Sequence, residues 1–147
     1  MTRDARENLR AVLNPRSVAI VGASENPNKI GGRPLLYLSR FGYQGKVYPI
    51  NPKRSEAQGF KTYPELAALP EAPDVAVIVV PGDLAMQSLE ECARLGVKVA
   101  IVMASGFGET AVPPVVAAAY KASGRPDAVT TAPRADAGEV AKWLTTK

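Results

Sequence analysis

Histidine is missing from all 147 residues, and cysteine occurs once. Without histidine the chain lacks the commonest general base and cannot itself carry a phosphohistidine. A lone cysteine cannot close an internal disulfide, which suits a reducing cytoplasm, the compartment expected here. No apolar run approaches the roughly 20 residues that cross a membrane. The stretch Met1-Thr-Arg-Asp-Ala-Arg-Glu7 alternates in charge and has no apolar segment, so no signal peptide is expected. There is no basic helix, no aromatic platform and no known reader motif, so neither nucleic acid nor a membrane is an expected partner. No internal repeat or low-complexity tract occurs.

What is present is ordinary in bulk and uneven in placement. The length predicts one domain over residues 1–147, and a hydrophobic content of 46% is enough for a globular core. The net charge is +4. Between Lys29 and Lys61, however, seven basic residues (Lys29, Arg33, Arg40, Lys46, Lys53, Arg54 and Lys61) face the single acid Glu56. Of the totals of 18 and 14, that leaves eleven basic and thirteen acidic residues elsewhere. The surplus either solubilises the surface or meets a phosphate-rich ligand.

The cationic segment follows Ser17-Val-Ala-Ile-Val-Gly-Ala-Ser-Glu-Asn-Pro-Asn-Lys-Ile-Gly-Gly32. Ser17 to Val21 reads as a buried strand, and the chain then breaks at Gly22 into a polar loop that reaches Gly31-Gly32 before a helical pattern. A strand, a glycine-bearing loop and a helix N-terminus, in that order, make an anion site. Glycine lets the backbone approach a phosphate, and free N–H groups of the first helical turn point at it.

In chain order, residues 1–16 predict an amphipathic helix with Leu9, Val12 and Leu13 on one side, ended by Asn14-Pro15. A helix from about Arg33 to Phe41 is expected to bury Leu35, Leu38 and Phe41, with Pro34 in its first turn and Gly42 at C′. Lys46-Val-Tyr-Pro-Ile50 predicts the second strand, and Tyr63 to Pro70 a short helix bracketed by prolines. Asp74 to Pro81 is a continuous apolar run of the kind seen in central parallel strands. A helix capped by Asp83 and stopped at Gly96 follows, with Cys92 on its core face beside Ala85 and Leu89. Val97 to Met103 predicts a fourth strand. Beyond it, residues 112–121, 128–131 and 136–144 are expected to form a helix, a short strand and a terminal helix burying Val140, Trp143 and Leu144.

Strands alternating with helices predict an α/β fold, a doubly wound, mostly parallel sheet with the first strand in its middle. In such sheets a ligand sits beyond the carboxyl ends of the strands. Those ends are Gly22-Ala23-Ser24, Asn51-Pro52-Lys53, Val80-Pro81-Gly82 and Ser105-Gly106. The last of these reads equally as a ligand contact or as a plain turn. A dinucleotide is disfavoured: after Gly22 the next glycine is Gly31, so G-x-G-x-x-G is absent, and Asn51-Pro52-Lys53-Arg54 stands where NAD needs an acid. Basic residues there favour a ribose carrying an extra phosphate, as in NADP or coenzyme A.

Asn14-Pro-Arg-Ser-Val-Ala-Ile-Val-Gly-Ala-Ser24, Lys29-Ile-Gly-Gly32, Gly45-Lys-Val-Tyr-Pro-Ile-Asn-Pro-Lys53, Asp74 to Pro81 and Ser105-Gly-Phe-Gly-Glu109 together resemble one family. It is the N-terminal CoA-binding domain of ADP-forming acyl-CoA synthetases, related to the α subunit of succinyl-CoA synthetase and found also in some bacterial protein acetyltransferases. The resemblance covers about residues 9–110; the tail 111–147 departs from it. It implies a Rossmann-like three-layer fold. It also implies that Gly22, Ala23, Ser24, Asn28, Lys29, Ile30 and Gly31 wrap the phosphates of CoA or acyl-CoA. Lys53 would meet the adenosine side and its 3′-phosphate, with Asn51 shaping the turn and Val80 and Pro81 against the adenine. Met103, Ala104, Ser105 and Gly106 would line the pantetheine path. The family's phosphohistidine domain and ATP-grasp domain are not in this chain. The resemblance thus implies CoA binding as part of an acid–CoA ligase rather than catalysis by this chain alone, with the remaining synthetase domains or subunit as partners. Two readings from other classes stand beside it, an NADP-binding domain of an oxidoreductase or redox sensor, and an interaction module whose crevice has lost its ligand.

Overall fold

The computed structural model describes residues 3–103 and 121. Its first elements are helix α1 (Arg3–Leu13), strand β1 (Ser17–Val21), helix α2 (Arg33–Arg40) and strand β2 (Lys46–Ile50). A hairpin of two-residue strands follows, β3 (Glu56–Ala57) and β4 (Phe60–Lys61), then a single 3₁₀ turn at Leu66–Ala68. Strand β5 (Val75–Ile78), helix α3 (Gly82–Leu95) and strand β6 (Val99–Val102) complete the described chain. The main sheet has four strands in the order β2-β1-β5-β6, and every pairing in it is parallel. The first strand therefore lies inside the sheet, as the alternation of elements predicts. All five residues of β1 are buried, which is why its sequence is a continuous apolar run rather than an alternating one.

Alternate side chains feed two cores. On one face Ala19, Val21, Tyr48, Ile50, Ala76 and Ile78 form a cluster with Leu66 and with Ala85, Leu89 and Cys92 of α3. On the other, Val18, Ile20 and Val75 form a cluster with Leu35 of α2 and Ala57 of β3. A doubly wound sheet results, with its helices on both sides.

Several local expectations are corrected. Of the stripe expected on α2 only Leu35 is fully buried; Leu38 is partly covered, and Phe41, just past the helix end, is 77% exposed and packs its ring near Tyr37. On α1 it is Ala11 that is buried, whereas Leu9, Val12 and Leu13 are exposed. The helix expected over Tyr63–Pro70 shrinks to the 3₁₀ turn, because Pro64 and Pro70 leave too little chain between them for a second turn. Asp83 does not cap α3. The cap position is Pro81, and Asp83 lies in the first turn, where its charge still suits the helix dipole. Gly96 does close α3 with φ +73°, and Gly42 follows α2 with φ +67°. The elements expected over 112–121, 128–131 and 136–144 lie outside the described residues, Lys121 apart.

The amino ends of the strands are tied by charge. Asp74, 6% exposed, accepts the Arg16 backbone N–H at 2.9 Å and the Arg16 Nε at 3.3 Å. It also accepts a bond from the Lys98 ammonium, while its own amide donates to Ser17 Oγ at 3.0 Å. One carboxylate thus links the segments entering β1, β5 and β6. Burial alone would raise its pKa. The Lys98 ammonium and the Arg16 backbone and side-chain N–H groups outweigh that and hold it at about 2. A smaller cluster joins Tyr48 Oη to Glu71, which also takes Lys46 Nζ at 2.9 Å. Burial first, and Glu71 second, push the Tyr48 phenol up to about 12.

Candidate functional site

The turn after β1 is built by close backbone contact. Gly22 has φ +91°, and a Cβ there would stand 2.7 Å from Val80 Cγ1. At Gly31 a Cβ would collide with the Gly22 carbonyl oxygen, and at Gly32 with that of Asn26. Only glycine lets the loop fold back this closely on the strand end. The Ser24 amide then closes the loop onto the Gly31 carbonyl at 3.1 Å. Within the lobe, the Asn26 amide donates to Ser24 Oγ, and the Asn28 amide to Asn26 Oδ1. The amides of Lys29 and Gly32 are likewise taken, by Asn26 O and Lys29 O. Those of Glu25, Ile30 and Gly31 have no hydrogen-bond partner among the described residues.

The turn after β2 is locked to the first. The amides of Gly22 and Ala23 both donate to the Ile50 carbonyl at 3.1 Å, so these two N–H groups are aimed at β2 and not into the crevice. Asn51 Nδ2 donates to the Ala23 carbonyl at 2.9 Å, and its Oδ1 accepts the Lys53 amide at 2.9 Å. One side chain thus fixes both loops. Thr62, buried, donates from its hydroxyl to the Arg54 carbonyl and from its amide to Ser55 O. The backbone of 51–55 is held while the Lys53 and Arg54 side chains stay exposed.

The third strand end adds an apolar wall. The Val79 amide donates to Val21 O, which brings Val80 beside Gly22, and Pro81 stands at the N-cap of α3. The Met103 amide donates to Ile78 O at 2.8 Å, and Met103 is 51% exposed. Of the residues expected to form the site, Gly22, Ala23, Ser24, Gly31, Asn51 and Val80 meet at adjoining strand ends. Asn28, Lys29, Ile30 and Lys53 stand exposed on the two loops. Ala104, Ser105 and Gly106 lie outside the described residues.

Two site residues escape sequence reasoning. Gln58, at the tip of the β3–β4 hairpin, donates from Nε2 to Ser24 O at 2.9 Å and to Gly32 O at 3.0 Å. Glu25 accepts the Gln58 amide at 2.6 Å. The only available signal was Gln58-Gly59 as a turn dipeptide, and its flanking strands are too short to show a period.

Reactive groups are sparse among the described residues. No cluster of metal-ligating side chains occurs there. Cys92 is fully buried, and burial, then Glu91, push its thiol up to about 12, so it is a core residue as expected. Among the described residues the arrangement presents loop amides, exposed cations and an apolar wall side by side.

Comparison with known proteins places the chain in a family. The profile of the CoA binding domain family matches residues 16–145. The α subunit of ADP-forming acetate–CoA ligase I from Pyrococcus furiosus is 47% identical over 105 residues, 69% of this chain and 23% of that protein. The apo acetyl-coenzyme A synthetase 1 of Ca. Korarchaeum cryptofilum superposes with a TM-score of 0.70 at 40% identity, over 79% of this chain and 26% of the other. A conserved hypothetical protein of Pyrococcus furiosus, 32% identical with a TM-score of 0.60, is covered over 89% of its own length and 75% of this chain. The chain thus spans about a quarter of the length of each of these two enzymes. The family read from the sequence is therefore the right one, and the chain belongs to the CoA-binding domain family.

Proposed function

We propose that the crevice at the carboxyl ends of β1, β2 and β5 binds coenzyme A or acyl-CoA, as the CoA-binding part of an ADP-forming acyl-CoA synthetase. The observation that carries this is the pairing of two loops through Asn51. A glycine-closed lobe keeps unpartnered amides at Ile30 and Gly31, and a cationic turn presents Lys53 and Arg54. CoA is a long polyanion with phosphates at two places, and two separate basic or amide-rich elements match it better than one.

In this reading the lobe 24–32, with Lys29, holds the pyrophosphate, and Gly22 and Ala23 shape the floor without donating to it. Lys53 and Arg54 neutralise the 3′-phosphate. Val80 and Pro81 give the adenine an apolar face, and the pantetheine runs past Met103 toward Ala104, Ser105 and Gly106. CoA is then a substrate of the complete ligase and not a resident cofactor. The residues of this chain bind and orient it, while acyl activation and transfer belong to other synthetase domains or a second subunit. The absence of G-x-G-x-x-G after β1 keeps an NADP-binding reading in second place.

A thermal-shift titration with CoA, NADP and NAD tests the reading. A ligand at about 100 times its dissociation constant adds roughly 2.7 kcal/mol, which moves the midpoint of a domain this size by several degrees. CoA alone should produce the shift. It should shrink with salt and be lost in Lys29→Ala and Lys53→Ala, since exposed cations act through screened attraction. A shift with NADP but not CoA would overturn the assignment.

A further inference from the structure

Gln58 is the one non-glycine residue with positive φ among the described residues, at +50°. It and Gly59, at φ +83°, form the two-residue loop between the paired residues Ala57 and Phe60. Two consecutive positive φ values mark a type I′ hairpin turn, whose first position favours asparagine or glycine. Glutamine there is strained, and a strained residue persists only where its surroundings compensate.

The compensation is on the other side of the crevice wall. Both N–H bonds of the Gln58 carboxamide are used, one on the carbonyl of Ser24, where the glycine-closed lobe begins, and one on that of Gly32, where it ends. Both partners are acceptors, so the amide orientation is fixed. The Glu25 carboxylate takes the Gln58 backbone N–H, so the hairpin tip grips the lobe at three points. Ala57, buried in the core beside Leu35, anchors the hairpin itself. We infer that Gln58 is a positioning residue for CoA binding. It spans the two ends of the lobe, keeps them at a fixed separation, and so holds the amides of Ile30 and Gly31 in their binding arrangement. Asparagine suits the turn better but is one methylene too short to reach both carbonyls. The inference rests on the CoA reading above, and it adds a residue that does not touch the ligand.

Gln58→Asn and Gln58→Gly in the full chain separate this role from a merely structural one. Both substitutions relieve the turn as they remove the carboxamide's hydrogen bonds, two effects of similar size and opposite sign, so the melting temperature should change by no more than a few degrees. CoA affinity should nevertheless fall about tenfold, because binding must then order a lobe that the free protein no longer holds, at a cost similar to that of a hydrogen bond or two. Amide hydrogen exchange over residues 24–32 of the free protein should accelerate while the strands do not change. Variants that bind CoA like the parent, or that leave exchange in the lobe unaltered, overturn the inference. If the parent itself binds no CoA, the proposed function fails, and the exchange measurement alone still decides whether Gln58 holds the lobe.

Discussion

Replacing Asp74 by asparagine should destabilise the domain in a way that vanishes in acid. The carboxylate is 6% exposed and holds Arg16 and Lys98, and its pKa falls from the usual 3.8 to about 2 in the folded state. Each unit is 1.36 kcal/mol, so the charged form contributes about 2.5 kcal/mol to stability at neutral pH. The folded value is the lower one, so the contribution is complete well above pH 4 and is lost as pH falls through about 4 toward 2. By linkage about half of it remains at pH 3. Asp74→Asn mimics the protonated side chain at every pH. The stability gap between parent and variant, measured by urea unfolding, should therefore be about 2.5 kcal/mol from pH 5 to 8 and about half that at pH 3. At neutral pH it corresponds to about 5–10 °C in melting temperature. Other carboxylates titrate alike in both proteins and cancel in the difference. A gap that is the same at pH 3 and pH 7, or is under about 0.5 kcal/mol at pH 7, would refute the reasoning.

Two further outcomes follow from packing. Gly31→Ala places a Cβ against the Gly22 carbonyl and 3.4 Å from Val79 Cγ2, so the lobe must shift and lose its Ser24–Gly31 hydrogen bond. Denaturant unfolding should report a loss of about 1–3 kcal/mol, and CoA titration at least a tenfold weaker complex; parental values in both would show that the lobe is not seated as described. Cys92, sealed in the core, should react with a thiol reagent at pH 8 far more slowly in native protein than in urea, and equal rates would mean that α3 opens readily.

The main sheet was legible because its four strands are short, largely apolar runs set off by glycine, proline or asparagine, and two of the crossovers between them carry helical spacing. The place of β1 inside the sheet followed from the handedness of those crossovers. Helix faces were less legible: Phe41 falls on the expected stripe of α2, yet it stands past the last turn and has no sheet to meet. The α1 stripe failed similarly, because Ala11 and not the larger residues faces inward. At the site, composition located the loops, and Asn51, Lys53 and the glycines were readable from their positions at strand ends. What no pattern contains is which amides remain free. That the Gly22 and Ala23 N–H groups turn to Ile50 depends on register between strands far apart in sequence. Gln58 was hidden for the same reason, since its partners lie 34 and 26 residues away.

The seating of Gly22, Gly31 and Gly32 has a consequence at the level of codons. Any single-nucleotide missense change in a glycine codon introduces a residue with a Cβ, and at each of these positions that atom meets a neighbour with little room to give. Mutational drift therefore has no small step available there, while the side chains of Asn28, Lys29 and Ile30, exposed on the lobe, meet no such barrier. A lineage carrying this fold can redecorate the rim of its cradle one residue at a time and must inherit the cradle's outline whole.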